Sequence, residues 1–89
     1  MFVVAEAMAE AGVLAGLPRA EAETLAFQTL LGAATLLGTG ESPEALRAGV
    51  TSPGGTTAAG LRELERHGVR AAFLEAVTAA AERSRELGA

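Results

Sequence analysis

Seventeen consecutive residues, Thr24 to Gly40, carry no charge in a chain of 89, and that span limits the folds open to it. A helix through it is apolar on nearly every side. A small monomeric bundle cannot cover such a helix, because a chain of this length buries only about 60–65% of its unfolded surface. Burial by a second chain is the remedy. The span does not read as a membrane crossing: Gln28, Thr29, Gly32 and Thr35 interrupt it, and a spanning helix takes about 20 predominantly apolar residues.

Composition removes further classes. There is no cysteine, so disulfides and thiolate metal ligation are excluded and redox chemistry gives no hint of compartment. Glu6 and Glu10 stand where a secretory segment needs apolar residues, and no basic residue precedes them. The chain therefore reads as cytoplasmic. A net charge of −4 with scattered glutamates opposes nucleic-acid binding, which asks for a basic stripe, commonly with aromatics for single strands.

Glycine and proline punctuate five helical segments, so the expected fold is all-α, a bundle of about five helices interleaved with a second copy in a homodimer. The first runs from Phe2 to about Ala15 and stops at Gly16-Leu17-Pro18. Pro18 is expected to open the second, which continues to about Thr39. Ser42 then caps a short helix that starts at Pro43 and ends near Ala48. A fourth covers about Thr56 to His67, with Thr57, Leu61, Leu64 and Gly68 spaced along one face as a buried seam. Gly68 closes it. The last runs from about Val69 to Leu87 and is expected to bury Phe73, Ala76, Val77, Ala80, Ser84 and Leu87 on an alanine-rich packing surface.

The stretch Val50-Thr51-Ser52-Pro53-Gly54-Gly55-Thr56-Thr57 is the one segment that looks like chemistry. Adjacent glycines let the backbone turn and approach a ligand, and the helix that follows presents unsatisfied N–H groups and a positive dipole end. A carboxylate or phosphate fits such a site. By spacing alone an ordinary loop with a threonine N-cap remains open, since Thr56 and Thr57 can cap the helix or touch a ligand. Neither a phosphate-binding P-loop nor a serine nucleophile elbow matches these residues. His67, the single histidine, is read as a helix C-terminal residue interacting with the last carbonyls, and no metal site is expected.

The string Val50 to Thr57, followed by Gly60-Leu61 and Leu64-Glu65, resembles the C-terminal signature of pyrroline-5-carboxylate reductases. Glu10-Ala11-Gly12-Val13, Gly16-Leu17-Pro18-Arg19, Gln28-Thr29 and Leu31-Gly32-Ala33-Ala34 are similar to that family in the same order. So are Gly68-Val69-Arg70-Ala71-Ala72, Ala76-Val77 and Ala80 to Leu87. Residues 1–89 then correspond to the family's helical dimerisation and substrate-binding domain. The family's Rossmann domain has no counterpart here, as there is no Gly-x-Gly-x-x-Gly and no strand-like run before one.

The resemblance implies a role that spacing leaves open. Ser52, Gly54, Gly55, Thr56 and Thr57 become the substrate-binding residues, with backbone N–H groups holding the carboxylate of 1-pyrroline-5-carboxylate or L-proline. Thr57 is the catalytic candidate, its hydroxyl directed to the ring nitrogen. NADPH or NADH belongs to the full-length enzyme and is held mainly by the missing domain, so none is expected on this chain alone. Gly49 departs from the family, standing where many members carry a larger polar residue able to reach the cofactor. The alternative reading is a non-catalytic all-helical dimerisation module.

Overall fold

A computed structural model of the chain describes residues 1–88. Its helices are α1 (Phe2–Leu14), α2 (Arg19–Leu37), α3 (Pro43–Gly49), α4 (Thr56–Arg66) and α5 (Val69–Gly88), with no strand among the described residues. All five expected helices are present, with boundaries displaced by no more than about two residues, the usual uncertainty of helix ends. The chain divides into two compact units, Met1–Leu46 and the part from Arg47 onward.

In the first unit, α1 and α2 form an antiparallel pair. Gly16, at φ +110°, ends α1, with the Leu17 amide donating to the Gly12 carbonyl and the Gly16 amide to Val13, each at 3.0 Å. This is the Schellman closure, and it requires the left-handed conformation that glycine takes without strain. Pro18 stands just outside α2, at φ −58° and ψ 147°, and does not open the helix as expected. Its extended ψ makes it the N-cap, and its carbonyl accepts the Ala22 amide at 2.9 Å.

The two helices approach closely because small residues meet. A Cβ on Gly12 would stand 2.9 Å from the Ala22 Cβ. The buried apolar residues are Ala9, Ala22 and Ala26. Gly12→Val is expected to force the pair apart at an overpacking cost of about 1–3 kcal/mol. Its thermal midpoint should fall by about 4–8 °C per kcal/mol in a chain of this size. A midpoint at or above the parent's would contradict the close crossing.

Along α2 the hydroxyls are satisfied locally. Thr24 donates to the Ala20 carbonyl at 3.0 Å, Thr29 to Leu25 at 2.7 Å and Thr35 to Leu31 at 2.8 Å. From Thr24 onward, where α2 carries no charge, the helix therefore presents few groups that need water. It ends at Gly38, and the chain turns through Gly40 at φ +93°. Ser42 caps α3 as expected, its Oγ accepting the Ala45 amide at 3.1 Å.

In the second unit α4 closes at His67 and Gly68, with Gly68 at φ +73°. The ion pairs Arg66–Glu63 at 2.9 Å, Arg70–Glu65 at 2.7 Å and Arg83–Glu86 at 2.9 Å are all exposed, and such pairs contribute at most about 1 kcal/mol each. Two expected buried faces are not buried by this chain. Thr57 is exposed, Leu61 and Gly68 are half-buried, and Leu64 is 50% exposed. On α5, Phe73, Ala76, Val77, Ala80, Ser84 and Leu87 are all exposed. Among the described residues of this unit, no element lies on those faces.

Surface area makes the same point. The chain exposes 7060 Å², against about 4,800 Å² for a compact monomer of its mass and about 5,800 Å² for two separate compact bodies of half that mass. Large apolar residues contribute to that surface: Phe2 is 89% exposed, Leu14 90% and Leu31 60%. One groove of about 600 Å³ lies within the first unit, lined among others by Phe2, Ala5, Phe27, Leu30, Leu31 and Ala34. No described helix is long and apolar enough to cross a membrane.

Candidate anion site at the start of helix α4

Ser52-Pro53-Gly54-Gly55 forms a tight turn in which the Gly55 amide donates to the Ser52 carbonyl at 3.0 Å. Proline supplies the fixed φ of the second position, and Gly54, at φ +71°, takes the positive φ of the third. That is a type II turn, and its third position favours glycine. Gly55 is constrained differently. A Cβ there would meet the Ser52 Oγ at 2.6 Å and the Ser52 carbonyl oxygen at 3.2 Å. The two adjacent glycines thus have separate causes, one conformational and one steric.

Gly55 is the N-cap of α4, in extended conformation, and no side chain caps the helix. The threonine N-cap left open by the sequence is therefore not what forms, because Thr56 and Thr57 already lie inside the first turn. Gly55 offers its carbonyl to Ala59 at 3.2 Å. Among the described residues, the amides of Thr56, Thr57 and Ala58 have no acceptor within the chain. Three N–H groups at the positive end of a helix dipole form a concentrated donor set for an anion.

Beside this helix start lies a depression of about 210 Å³ lined by Gly54, Gly55, Ala58, Ala59 and Arg62. Arg62 was not singled out from the sequence, although its spacing of four and three from Ala58 and Ala59 puts it on their face. Its guanidinium adds fixed positive charge to the donor end of the helix. Thr57 does not line this depression. It shares a face with Gly60, Leu61 and Leu64, at spacings of three, four and seven. Ser52 sits behind Gly55, with its Oγ against the turn. The structure thus brings Ser52, Gly54 and Gly55 together and places the Thr56 and Thr57 hydroxyls exposed nearby.

Gly49 ends α3 and is exposed, with open space where a Cβ would project. His67 Nδ1 lies 2.9 Å from the Glu63 carbonyl oxygen and 3.8 Å from Glu63 Oε2, the helix-end role expected of it. Among the described residues no group of three or more histidine, cysteine or acidic side chains is placed to hold a metal ion.

Open apolar helix faces and, in the second unit, a helix start whose first amides lack acceptors define an all-helical domain of the kind that associates through its faces. Residues 1–87 match the family described as pyrroline-5-carboxylate reductase dimerisation. The pyrroline-5-carboxylate reductase of Corynebacterium melassecola is 56% identical over 89 residues, 99% of this chain and 33% of that protein. That of Arabidopsis thaliana is 57% identical over 88 residues, 98% of this chain and 32% of its own length.

A solved Plasmodium falciparum pyrroline carboxylate reductase, described with NADP bound, superposes with a TM-score of 0.92 at 34% identity, covering 99% of this chain and 36% of that one. A 1-pyrroline-5-carboxylate reductase from Streptococcus pyogenes superposes with a TM-score of 0.81 at 44% identity, covering 85% of this chain and 30% of the other. The chain belongs to the pyrroline-5-carboxylate reductase dimerisation family. It spans about a third of the length of the relatives it matches.

Proposed function

We infer that residues 1–89 are the dimerisation and substrate-binding domain of a cytoplasmic enzyme that reduces 1-pyrroline-5-carboxylate to L-proline with NADPH or NADH. The observation that carries this is the Ser52–Gly55 turn, which delivers three unpaired amides to one point at the head of α4 in a chain of this family. A carboxylate bound there is neutralised by the helix end, with the Arg62 guanidinium close by. Once its carboxylate is fixed, the flat pyrroline ring has few orientations left, and orientation supplies much of the rate in such a reaction. The Thr57 hydroxyl serves the ring nitrogen, accepting or donating a hydrogen bond as the imine becomes an amine.

The nicotinamide supplies the hydride to the imine carbon. The described residues contain no strand running into a glycine-rich helix start, so they do not fit a dinucleotide grip, and the cofactor is assigned to chain outside residues 1–89. Gly49 stands at a position able to face it, and glycine offers no side chain to make a contact. The homodimer is the assembly in which this domain acts.

The 89-residue chain should bind L-proline at millimolar concentration and give no turnover with 1-pyrroline-5-carboxylate and reduced nicotinamide. Thr57→Ala should weaken proline binding about tenfold, the loss of a hydrogen bond worth about 1 kcal/mol or slightly more. Chemical-shift titration reads the binding and absorbance at 340 nm the turnover. Turnover by the chain alone would refute the assignment of the cofactor elsewhere, and absence of proline binding would favour a non-catalytic dimerisation module.

A further inference from the structure

Helix α2 has two faces. One carries Ala22 and Ala26 and is buried against α1. The other carries Thr24, Gln28, Leu31, Gly32 and Thr35, all exposed, at the spacings of four, three and four that trace one side of a helix. Three features of that outer face bear on what covers it.

The first is Gly32. A glycine in a helix interior destabilises the helix relative to alanine, yet nothing lies within 4 Å of where its Cβ would project. Gly12 has an evident reason to be glycine, since Ala22 fills the space above it, and Gly32 has none within the chain. The second is that Thr24 and Thr35 return their hydroxyls to carbonyls of their own helix, so they carry no unmet polar group into a contact. The third is Gln28, the single amide side chain in the chain. It lies one turn before Gly32 on the same face.

Resting on the homodimer reading above, we propose that the backbone of a second copy of this chain crosses α2 directly over Gly32, and that the Gln28 amide hydrogen-bonds to that copy beside the crossing. The occupant is a second copy because the family is one of dimerisation domains and because the excess exposed area per chain is of the size an obligate dimer buries. Leu31 joins this face to the apolar groove of the first unit, so the two surfaces are continuous. Gly32 permits close approach of the backbones. Gln28 fixes their register, since an amide enclosed among apolar side chains is satisfied in only one arrangement.

Gly32→Ala separates this from helix propensity by sign. A crossing at Gly32 predicts a dimer dissociation constant at least tenfold weaker for Gly32→Ala, with helix content at high, dimer-saturating concentration equal to or above the parent's. Gln28→Ala should weaken the dimer by a similar factor. Both are read by sedimentation equilibrium over a dilution series, with circular dichroism for helix content. A Gly32→Ala dimer as tight as the parent's, or tighter, overturns the crossing, and an unchanged Gln28→Ala dimer overturns the hydrogen bond. A parent that is monomeric throughout the series overturns the dimer reading itself, so the two failures are distinct.

Discussion

Leu31→Glu should leave a chain that is unfolded or aggregated, not a soluble folded monomer. Leu31 is 60% exposed within its own chain, so a reading confined to one copy expects a tolerated surface change. In the proposed dimer it is covered by a second chain. An uncompensated buried charge costs about 3–5 kcal/mol, the interface holds two copies of it, and total stability is only about 5–15 kcal/mol. Leu30→Glu, at a half-buried position lining the same groove, should behave alike. A sharp cooperative melt from either variant, at a single-chain sedimentation coefficient, would contradict the account.

Gly55→Val should remove proline binding while leaving helix content unchanged. The steric cause is local: the new Cβ would press on the Ser52 Oγ and carbonyl oxygen, and the turn that closes at 3.0 Å between Gly55 and Ser52 has to open. Opening it redirects the amides of Thr56 and Thr57, on which carboxylate binding depends. Gly54→Val acts through the backbone instead, because a left-handed conformation costs a residue with a Cβ about 1–2 kcal/mol. Titration with proline should show no saturable shift for Gly55→Val at tens of millimolar ligand. Parent-like affinity would move the site away from this turn.

The helices were legible because their ends are written in local chemistry. Gly16 and Gly68 adopt the positive φ of a helix stop, and Ser42 caps α3 with its own side chain. Such signals act over four or five residues and need no knowledge of the fold. Pro18 was misplaced by one position, since its fixed φ suits either the cap or the first helical residue and only ψ decides between them.

What lay beyond the sequence was the surface on which each apolar face rests. Periodicity on α5 marks Phe73, Ala76 and Val77 as an apolar face, which this chain leaves exposed, and it says nothing about whether a cover comes from the same chain or another. The same holds for Thr57, placed at the head of a buried seam that its own chain leaves open. At the turn, adjacent glycines look alike in sequence, and nothing there divides the work between Gly54 and Gly55. One is set by a dihedral angle and the other by the Ser52 side chain. Arg62 went unnoticed because it stands outside the loop motif, although helical spacing brings it to the same depression.

The association of two chains is the claim from which the rest follows, because among the described residues the fully buried apolar side chains are three alanines, a small core for a chain of this length. At about 25 cal/mol per Å², a 1,000 Å² apolar contact contributes roughly 25 kcal/mol before association and ordering costs, enough to couple folding to assembly. Sedimentation equilibrium of the unaltered 89-residue chain, followed by thermal melts over a hundredfold range of concentration, tests this most directly. The account predicts a two-chain mass at micromolar concentration and a melting midpoint that rises with concentration. A folded single chain whose midpoint does not move with concentration would contradict it.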